Sequence, residues 1–467
     1  TGGWAAGVRL ASLRRSVDTE IVRRRDTRPA LDHQLLAPLL AKTLAGFSPD
    51  ARQMLLGAAL PDSFTPSLLL AMAEDSVSRD AVEDVLQFAR SSGICRRATH
   101  LAGDWFEFHP LFRSLLSRQL AQSETPARLA ALHRRGAEWF AANAMVDAAI
   151  THYLAAGETA SAAALIEHQV QPALAREDWP SVARWLALLP RNLVEAEPRL
   201  LLAQAWVLHF RGLSRRLADV LGMLDTCVDN ADLPAGEVEA LRAEAKLMPY
   251  GSLIHFQIDA AGTLAAVQQL ASQLAPAQVF AMGIAQAGIG MALHASGRTS
   301  EAIAYLEGLL ERAPTPIDAA TARSIVGLLW VHGQVSHVTE VASVAEAMRD
   351  LTERSGLRLS AGWASRFLGD ASYEQGDLEG ATAHFTAIVQ DHDYFHLAGV
   401  REALFGLALV YVAQGRVEDA WRALRRAREI MVGADALEHL ALLEAYTAYL
   451  ALLTGDHGRA LAWARSH

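Results

Sequence analysis

The hydrophobic and polar positions of the chain follow a helical period in its first third. Helical patterns cover residues 31–44, 50–60, 65–73 and 80–92. Ser48 stands directly before Pro49, which predicts a serine N-cap and a proline in the first turn of the second of these helices. Gly93 follows the fourth helix and predicts its end.

The period then shortens to that of a β-strand. Two alternating runs, 94–98 and 105–109, flank a turn that contains Gly103, and this arrangement predicts a β-hairpin. Phe106 and Phe108 would share one face of its second strand. Pro110 then opens a helix over 111–122. Helices, a hairpin and a closing helix together predict a winged-helix domain.

From residue 125 onward the pattern is helical, and a short motif recurs in it. A glycine between polar residues precedes an alanine-containing amphipathic helix at Gly297, Gly333, Gly376, Gly415 and Gly455. The interval is about 40 residues, which is typical of an α-solenoid of helix–turn–helix units. Each glycine is expected to adopt the left-handed conformation that turns the chain back. We therefore predict a mainly α chain, in which the winged helix is followed by a tetratricopeptide-like α-solenoid.

These patterns divide the chain into five parts. They are a helical segment at 1–16, a charged linker at 17–29, the winged helix at 30–122, a helical region at 123–236 and the solenoid at 237–467. The chain begins at Thr1 without an initiator methionine, and no polar capping helix follows the last repeat. We therefore expect an internal fragment of a longer protein.

Composition excludes several classes of protein. The formal net charge of −10 does not suit a chain that binds DNA unaided. Two cysteines, Cys95 and Cys227, without a CxxC pair, do not suit a disulfide scaffold or a zinc knuckle and fit a cytoplasmic location. The longest apolar run, 279–293, is interrupted by Gln286 and is shorter than the ~20 residues of a membrane span. It predicts a buried helix and no membrane partner.

Motifs of catalytic sites are absent from the sequence. Its two lysines, Lys42 and Lys246, each follow an alanine, which excludes a Walker A loop. Neither an HExxH helix nor a GxSxG elbow occurs. The segment 391–396 contains two histidines between acidic and aromatic residues, and it is interpreted as a polar loop because no further metal ligands are placed near it. We predict neither an enzyme nor a metal site.

Several segments resemble, in the same order, those of MalT-like, LuxR-type ATP-dependent transcription regulators. They are GGWAAGVRL at 2–10, WFEFHPLFR at 105–113, LHRRGAEWF at 132–140, WLALLP at 185–190 and PRLLLAQAW at 198–206. The resemblance is carried by residues 1–210, and beyond them it concerns the repeat architecture. It implies a signal-sensing and transmission portion whose solenoid binds an inducer and controls an ATP/ADP switch.

The resemblance also implies the cofactor and the partners. An ATPase module would precede the winged helix, with residues 1–16 as its tail, and ATP or ADP would bind in the full-length protein and not on this chain alone. DNA would be bound by a C-terminal helix-turn-helix that is absent here. The other partners would be a small-molecule inducer or a regulatory protein, and the chain would self-associate on activation.

In related switch ATPases a histidine at the end of the winged-helix hairpin contacts the β-phosphate of ADP. Phe108-His109-Pro110 occupies the corresponding place, although proline replaces the aspartate of that motif. His109 is therefore a candidate nucleotide contact, and Gly3 and Trp4 are candidates to face the adenine. The alternative for His109 is a structural one, in which it ends the hairpin and caps the next helix.

Solenoids bind ligands on the concave face, which the first helix of each repeat lines. Those helices are predicted at 321–331, 360–373 and 400–412. Their aromatic and charged residues are the candidates for an effector groove, because rings stack on a ligand and arginine binds anions. They are Trp330, Trp363, Arg366, Phe367, Arg401 and Glu402. Packing between repeats is the competing explanation for each of them.

Two other hypotheses concern the function as a whole. The solenoid would serve as a protein–protein interaction scaffold without a small-molecule ligand if its groove holds a peptide or a helix of a partner. The chain would be catalytic if residues that are distant in sequence form a site that no motif reveals. Stabilisation by a small molecule, stabilisation by a partner protein alone, and turnover of a substrate distinguish the three.

Overall fold

The computed structural model describes residues 44, 47–73, 79–91, 95–98, 103–251, 259–392, 394–434 and 436–466. The chain divides into two compact units, residues 1–165 and 166–467. The predicted segments at 1–16 and 17–29, with Gly3 and Trp4, lie outside the described residues. The predicted divisions after residues 122 and 236 each fall inside one of the two units and remain an interpretation of the sequence.

The described residues of the first unit form helices and one hairpin. Its described helices are α1 (Pro49–Gly57), α2 (Pro66–Met72), α3 (Arg79–Ser91), α4 (Pro110–Ser123), α5 (Pro126–Ala142), α6 (Val146–Ala155) and the first part of α7 (Thr159–Ala175). Ser48 accepts a hydrogen bond from the backbone N of Ala51 at 3.2 Å, as the predicted N-cap requires. Thr65 caps α2 in the same way, through the backbone N of Leu68.

The predicted hairpin is confirmed. Strands β1 (Cys95–Arg97) and β2 (Phe106–Phe108) pair antiparallel, and Gly103 in their connection has a φ of +98°. Phe106 and Phe108 are buried. The backbone of Phe64 pairs with that of Phe106, and its ring centroid lies 4.8 Å from that of Phe108. The hairpin thereby closes the hydrophobic core of the winged helix on one side.

The second unit contains helices throughout its described part. They are the end of α7, α8 (Trp179–Leu188), α9 (Arg191–Ala196), α10 (Pro198–Phe210), α11 (Ser214–Asn230), α12 (Ala235–Leu247), a 3-10 turn at Met248–Gly251, α13 (Ala260–Gln273), α14 (Val279–Ala295), α15 (Thr299–Leu310), α16 (Ala319–Gln334), α17 (Val338–Ser355), α18 (Arg358–Glu374), α19 (Leu378–Gln390), α20 (Leu397–Ala413), α21 (Val417–Gly433), α22 (Leu437–Leu453) and α23 (His457–Ser466). The fold is a tetratricopeptide-like solenoid of helical hairpins.

Tight turns with a left-handed residue join the two helices of each hairpin. Gly297, Gly376, Gly415 and Gly455 have φ values between +74° and +82°, as predicted. The prediction for Gly333 is wrong, because α16 continues to Gln334 and Ser336 is the residue with positive φ, at +57°. With Ser336 in place of Gly333, the turns lie 39 or 40 residues apart.

The first helices of successive hairpins pack directly on one another. This layer contains α14, α16, α18, α20 and α22, and the second helices of the hairpins pack on the first. Glycines allow the closest approaches, since a Cβ on Gly283 of α14 would meet the backbone of Ala320. Helix α14 is buried along most of its length, as its apolar sequence predicts. In the described part of the chain, no helix is both long and apolar enough to cross a membrane.

Candidate functional site

A charged network joins three neighbouring first helices of the second unit. Arg366 and Asp370 lie on α18, Arg401 and Glu402 on α20, and His439 and Tyr446 on α22. We call these six residues the inner-face network. Three of the predicted groove residues belong to it, and the repeat interval has brought them together from separate hairpins.

Glu402 lies at the centre of the inner-face network. Its carboxylate accepts hydrogen bonds from Arg401 Nη2 at 2.6 Å and from the Tyr446 hydroxyl at 2.7 Å. Arg366 Nη2 lies 3.6 Å from the Glu402 carboxylate, and Arg366 Nη1 pairs with Asp370. Arg401 Nη1 contacts His439 Nδ1 at 2.6 Å, which requires His439 to be neutral and to accept there.

The pKa shifts of the network residues agree with a neutral His439. Burial alone would raise the pKa of Glu402, but Arg366 and Arg401 outweigh it and lower the pKa below its usual value. Burial lowers the pKa of His439 to about 4, and the charge of Arg401 acts in the same direction. Burial and the negative charge of Glu402 raise the pKa of Tyr446. Glu402 is therefore ionised at neutral pH, while His439 and Tyr446 are uncharged.

The three aromatic groove candidates pack between repeats, and the Arg366 guanidinium lies 5.5 Å from the ring centroid of Phe367. Phe367 is 8% exposed and belongs to the core formed by α16, α17 and α18. Trp330 is half-buried, and its ring meets that of His294 edge-on, with 5.6 Å between centroids. Trp363 packs on the same core and lies beside Gly399 of α20. These contacts agree with the packing explanation for the three aromatic residues.

Sequence reasoning missed three residues of this face, namely His439, Tyr446 and Phe405. The rings of Phe405 and Tyr446 stack with 3.8 Å between centroids and 10° between planes, beside Glu402. Phe405 follows Arg366 by about one repeat, so the repeat interval could have found it. His439 and Tyr446 lie on α22, for which no groove-lining helix was predicted.

His109 caps a helix in the first unit. Its Nδ1 accepts a hydrogen bond from the backbone N of Leu111 at 3.3 Å, and Pro110 begins α4 directly after it. Burial, followed by the positive charge of Arg96, lowers the pKa of His109. The imidazole is therefore neutral near pH 7, and the cap leaves Nε2 as the nitrogen that carries the proton.

Two further features carry no predicted site residue. In the described part of the chain, no three His, Cys, Asp or Glu side chains are placed to hold a metal ion, and residues 391, 392 and 394–396 lie between the end of α19 and the start of α20. A shallow depression of about 640 Å³ is lined mainly by α9 and α11. The inner-face network is thus the place where predicted site residues come together.

Comparison with known proteins gives a family assignment for part of the chain. Residues 40–129 match the model of the MalT winged helix domain. This range contains α1 to α4 and the hairpin, which are the elements from which the winged helix was predicted. The comparison therefore agrees with the fold of the first unit.

Curated relatives extend the likeness beyond the winged helix. The chain is 31% identical over 251 residues to the serine/threonine-protein kinase PknK of Mycobacterium tuberculosis, a match that covers 53% of this chain and 22% of the kinase. It is 28% identical over 255 residues to the HTH-type transcriptional regulator MalT of Cronobacter sakazakii, covering 52% and 27%. The chain spans less than a third of the length of these relatives.

Among solved structures, a STAND (signal transduction ATPase with numerous domains) protein with a tetratricopeptide repeat sensor from Pyrococcus horikoshii is similar. The TM-score is 0.48 and the identity 13%, with coverage of 87% of this chain and 67% of that one. The winged-helix match and the MalT relatives confirm the resemblance that the sequence motifs carry. The chain therefore contains a MalT winged helix domain, which precedes a tetratricopeptide-like solenoid, and it is similar in sequence to MalT regulators over about half of its length.

Proposed function

We propose that the second unit binds a small-molecule inducer at the inner-face network. Inducer binding would control an ATP/ADP switch in the full-length protein, and this switch would license DNA binding by a helix-turn-helix domain outside this chain. An inducer shifts such a switch only by its difference in affinity for the two states. The sensing role follows from the likeness to MalT regulators, and the ligand site is our own assignment.

The inner-face network is the observation that carries the proposal. Burying charged pairs is costly, and apolar residues of similar volume often stabilise a protein as well or better. Arg401 is 8% exposed and yet pairs with Glu402 on a helix that otherwise packs through apolar residues. Stacked rings and paired charges on one face are the polar and apolar groups that orient a ligand in a binding site.

A thermal-shift screen of the 467-residue chain against a metabolite panel tests the inducer site. A ligand at about 100 times its dissociation constant stabilises the folded state by about 2.7 kcal/mol. We expect Arg401→Gln and Glu402→Gln to abolish the shift. Arg425→Gln changes an exposed arginine on the neighbouring helix α21 and should retain it. A hit that survives Arg401→Gln would place the inducer elsewhere.

The nucleotide switch is tested at His109, with Gly3 and Trp4 as the proposed adenine contacts. Asparagine caps helices well, so His109→Asn preserves the start of α4 while it removes the imidazole. In the full-length protein we expect His109→Asn to release ADP faster than wild type without a change in melting temperature. Unchanged ADP release would assign His109 to the helix cap alone.

A protein partner is the second candidate for the second unit. A peptide or a helix of the partner would then lie on the solenoid in place of an inducer. In that case no metabolite would stabilise the chain in the thermal-shift screen, whereas the partner protein would.

A further inference from the structure

The tight turns between the helices of successive hairpins bring two side chains together. In the turns after α14, α16, α18, α20 and α22, one residue donates its backbone N–H to the backbone O of the residue five positions earlier. At one of these turns the Arg416 guanidinium lies 4.5 Å from the ring centroid of Tyr411, so side chains at the two positions can contact each other. The pairs, with N–O distances of 2.7–3.1 Å, are Arg298 with Leu293, His337 with His332, Asp377 with Ser372, Arg416 with Tyr411, and Asp456 with Ala451.

The turn between α16 and α17 is the one of these five that carries a histidine at both positions. The Nδ1 atoms of His332 and His337 lie 3.3 Å apart, and their ring centroids are 5.6 Å apart, with 40° between the planes. The backbone hydrogen bond from His337 to His332, at 3.1 Å, fixes the spacing of the two residues. Two nitrogen ligands thus converge at a position that the turn itself determines.

The separation of the two nitrogens suits a cation held between them. Two imidazole nitrogens that each lie ~2.0–2.1 Å from one tetrahedral cation are themselves about 3.3–3.4 Å apart. Without a cation, one Nδ1 donates a hydrogen bond to the other. A neutral imidazole can carry its proton on Nε2 instead, which makes both Nδ1 atoms available as ligands. Burial, followed by His337, lowers the pKa of His332, so that this ring is neutral near pH 7.

The surroundings of this pair favour the entry of a cation. His332 is 7% exposed and is held by the packing of α16, whereas His337 is exposed. A Cβ on the adjacent Gly333 would meet no atom within 4 Å. Glu307 of α15 and Glu340 of α17 are exposed, and their negative charges oppose the effect of burial on the pKa of His332. The turn therefore borders open space, and the nearby carboxylates attract a positive ion.

A second pair of facing histidines, in the first unit, has a different setting. His133 and His152 approach each other through Nδ1 at 3.2 Å. His152 is buried, its ring centroid lies 5.1 Å from that of Phe140, and a Cβ on Gly136 would come within 3.0 Å of its Nδ1. Packed groups thus enclose this pair on the side of His152. A hydrogen bond between the rings explains it, and it serves as an internal comparison.

We propose that His332 and His337 form a two-histidine binding site for a divalent transition-metal cation, which ties the end of α16 to the start of α17. Imidazole suits Zn²⁺, Cu²⁺ and Ni²⁺, whereas Mg²⁺ and Ca²⁺ prefer oxygen ligands. In the described part of the chain no third His, Cys, Asp or Glu side chain is in place, so water completes the coordination. Glu340 lies on α17 three residues after His337 and can join as a further ligand. The inference does not depend on the inducer site, which lies on other helices.

Zinc titration of the 467-residue chain, without an affinity tag, tests the site. Competition with a chromophoric chelator gives the dissociation constant, and the melting temperature is measured with and without ZnCl₂. We expect the parent chain to bind Zn²⁺ and to melt at a higher temperature in its presence. His337→Gln changes an exposed residue, so it should fold and yet raise the dissociation constant by more than about tenfold. His332→Gln should have the same effect, and an equal concentration of Mg²⁺ should not compete.

Two other histidines provide the controls. His457→Gln changes an exposed residue of α23, and His133→Gln removes one ring of the enclosed pair. Both variants should bind Zn²⁺ as the parent chain does. Zinc binding that is unchanged in His337→Gln overturns the proposal, as does binding that is lost in His133→Gln alone, which would assign the cation to the other pair. Displacement of Zn²⁺ by Mg²⁺ would indicate a carboxylate site and would also contradict the proposal.

Discussion

At the scale of single residues, Glu244 is the most unusual buried group of the second unit. It is 0% exposed and accepts hydrogen bonds from Gln171, Trp206 and Gln278, none of which is charged. Burial raises the pKa of this carboxyl, and the three hydrogen bonds oppose that effect. The side chain thus joins α7, α10, α12 and the residue before α14 through one acceptor group.

Removing that acceptor should therefore be costly. Glu244→Ala leaves three buried donors unpaired, and we expect a loss of about 2–5 kcal/mol in the free energy of unfolding. Glu244→Gln keeps one acceptor and should lose less. Urea unfolding at pH 7 measures both, with Glu239→Ala, an exposed glutamate of the same helix, as the control. Equal stability of Glu244→Ala and Glu239→Ala would contradict a structural role for the network.

The sequence predicted the residues of the candidate site only in part, because some of the residues that contact one another are far apart in sequence. Arg366, Arg401 and Glu402 were identifiable because they are charged and lie on helices that the repeat pattern places on one face. Glu177 and Glu244 were not, because their partners are 183 and 34 to 73 positions away and no periodic pattern marks them. In the sequence alone, a buried glutamate looks the same as an exposed one, because its hydrogen-bond partners are not identified.

At the scale of secondary-structure elements, the turn at Ser336 has its left-handed residue at a different position from the one that the sequence motif predicts. Gly333 fits the recurring motif, yet it is the last glycine inside α16, and the chain reverses three residues later. The hairpin helices and the winged-helix strands were predicted well because their hydrophobic periods are strong and local. The position of a left-handed residue depends on where packing ends the helix, which the motif alone does not determine.

Ser336 therefore offers a stabilising substitution. A non-glycine residue in the left-handed region is disfavoured by roughly 1–2 kcal/mol, and part of the gain from glycine is offset by the greater freedom of the unfolded chain. Because Ser336 is exposed, little side-chain contact is lost. We expect Ser336→Gly to raise the free energy of unfolding by about 0.5 kcal/mol in thermal melts. Gly376→Ala, at a φ of +80°, should lower it, and a gain there would refute the argument.

At the scale of the whole second unit, three partly buried histidines make stability depend on pH. Burial lowers the pKa of His209 and of His439 to about 4, and it also lowers that of His396. A histidine of ordinary pKa takes up its proton near pH 6.5 in the unfolded chain. These groups therefore contribute their stability above that pH, and the contribution is lost as the pH falls toward 4. Glu177 and Glu244, whose pKa values are raised, act in the opposite direction.

A substitution of His439 separates the contribution of the histidines to the pH dependence of stability from that of the carboxyl groups. Between pH 7 and pH 5 its lowered pKa should account for a loss of about 2 kcal/mol, because burial disfavours the protonated ring and protonation would also place a cation against Arg401. We expect His439→Gln, which cannot take up that proton, to show a shallower fall in unfolding free energy over this range. His457→Gln, at an exposed position on α23, should keep the slope of the parent chain. If His439→Gln and the parent chain lose unfolding free energy equally as the pH falls, other groups cause the pH dependence. A smaller loss in His439→Gln would show that the protonation of His439 beside Arg401 destabilises the solenoid at low pH.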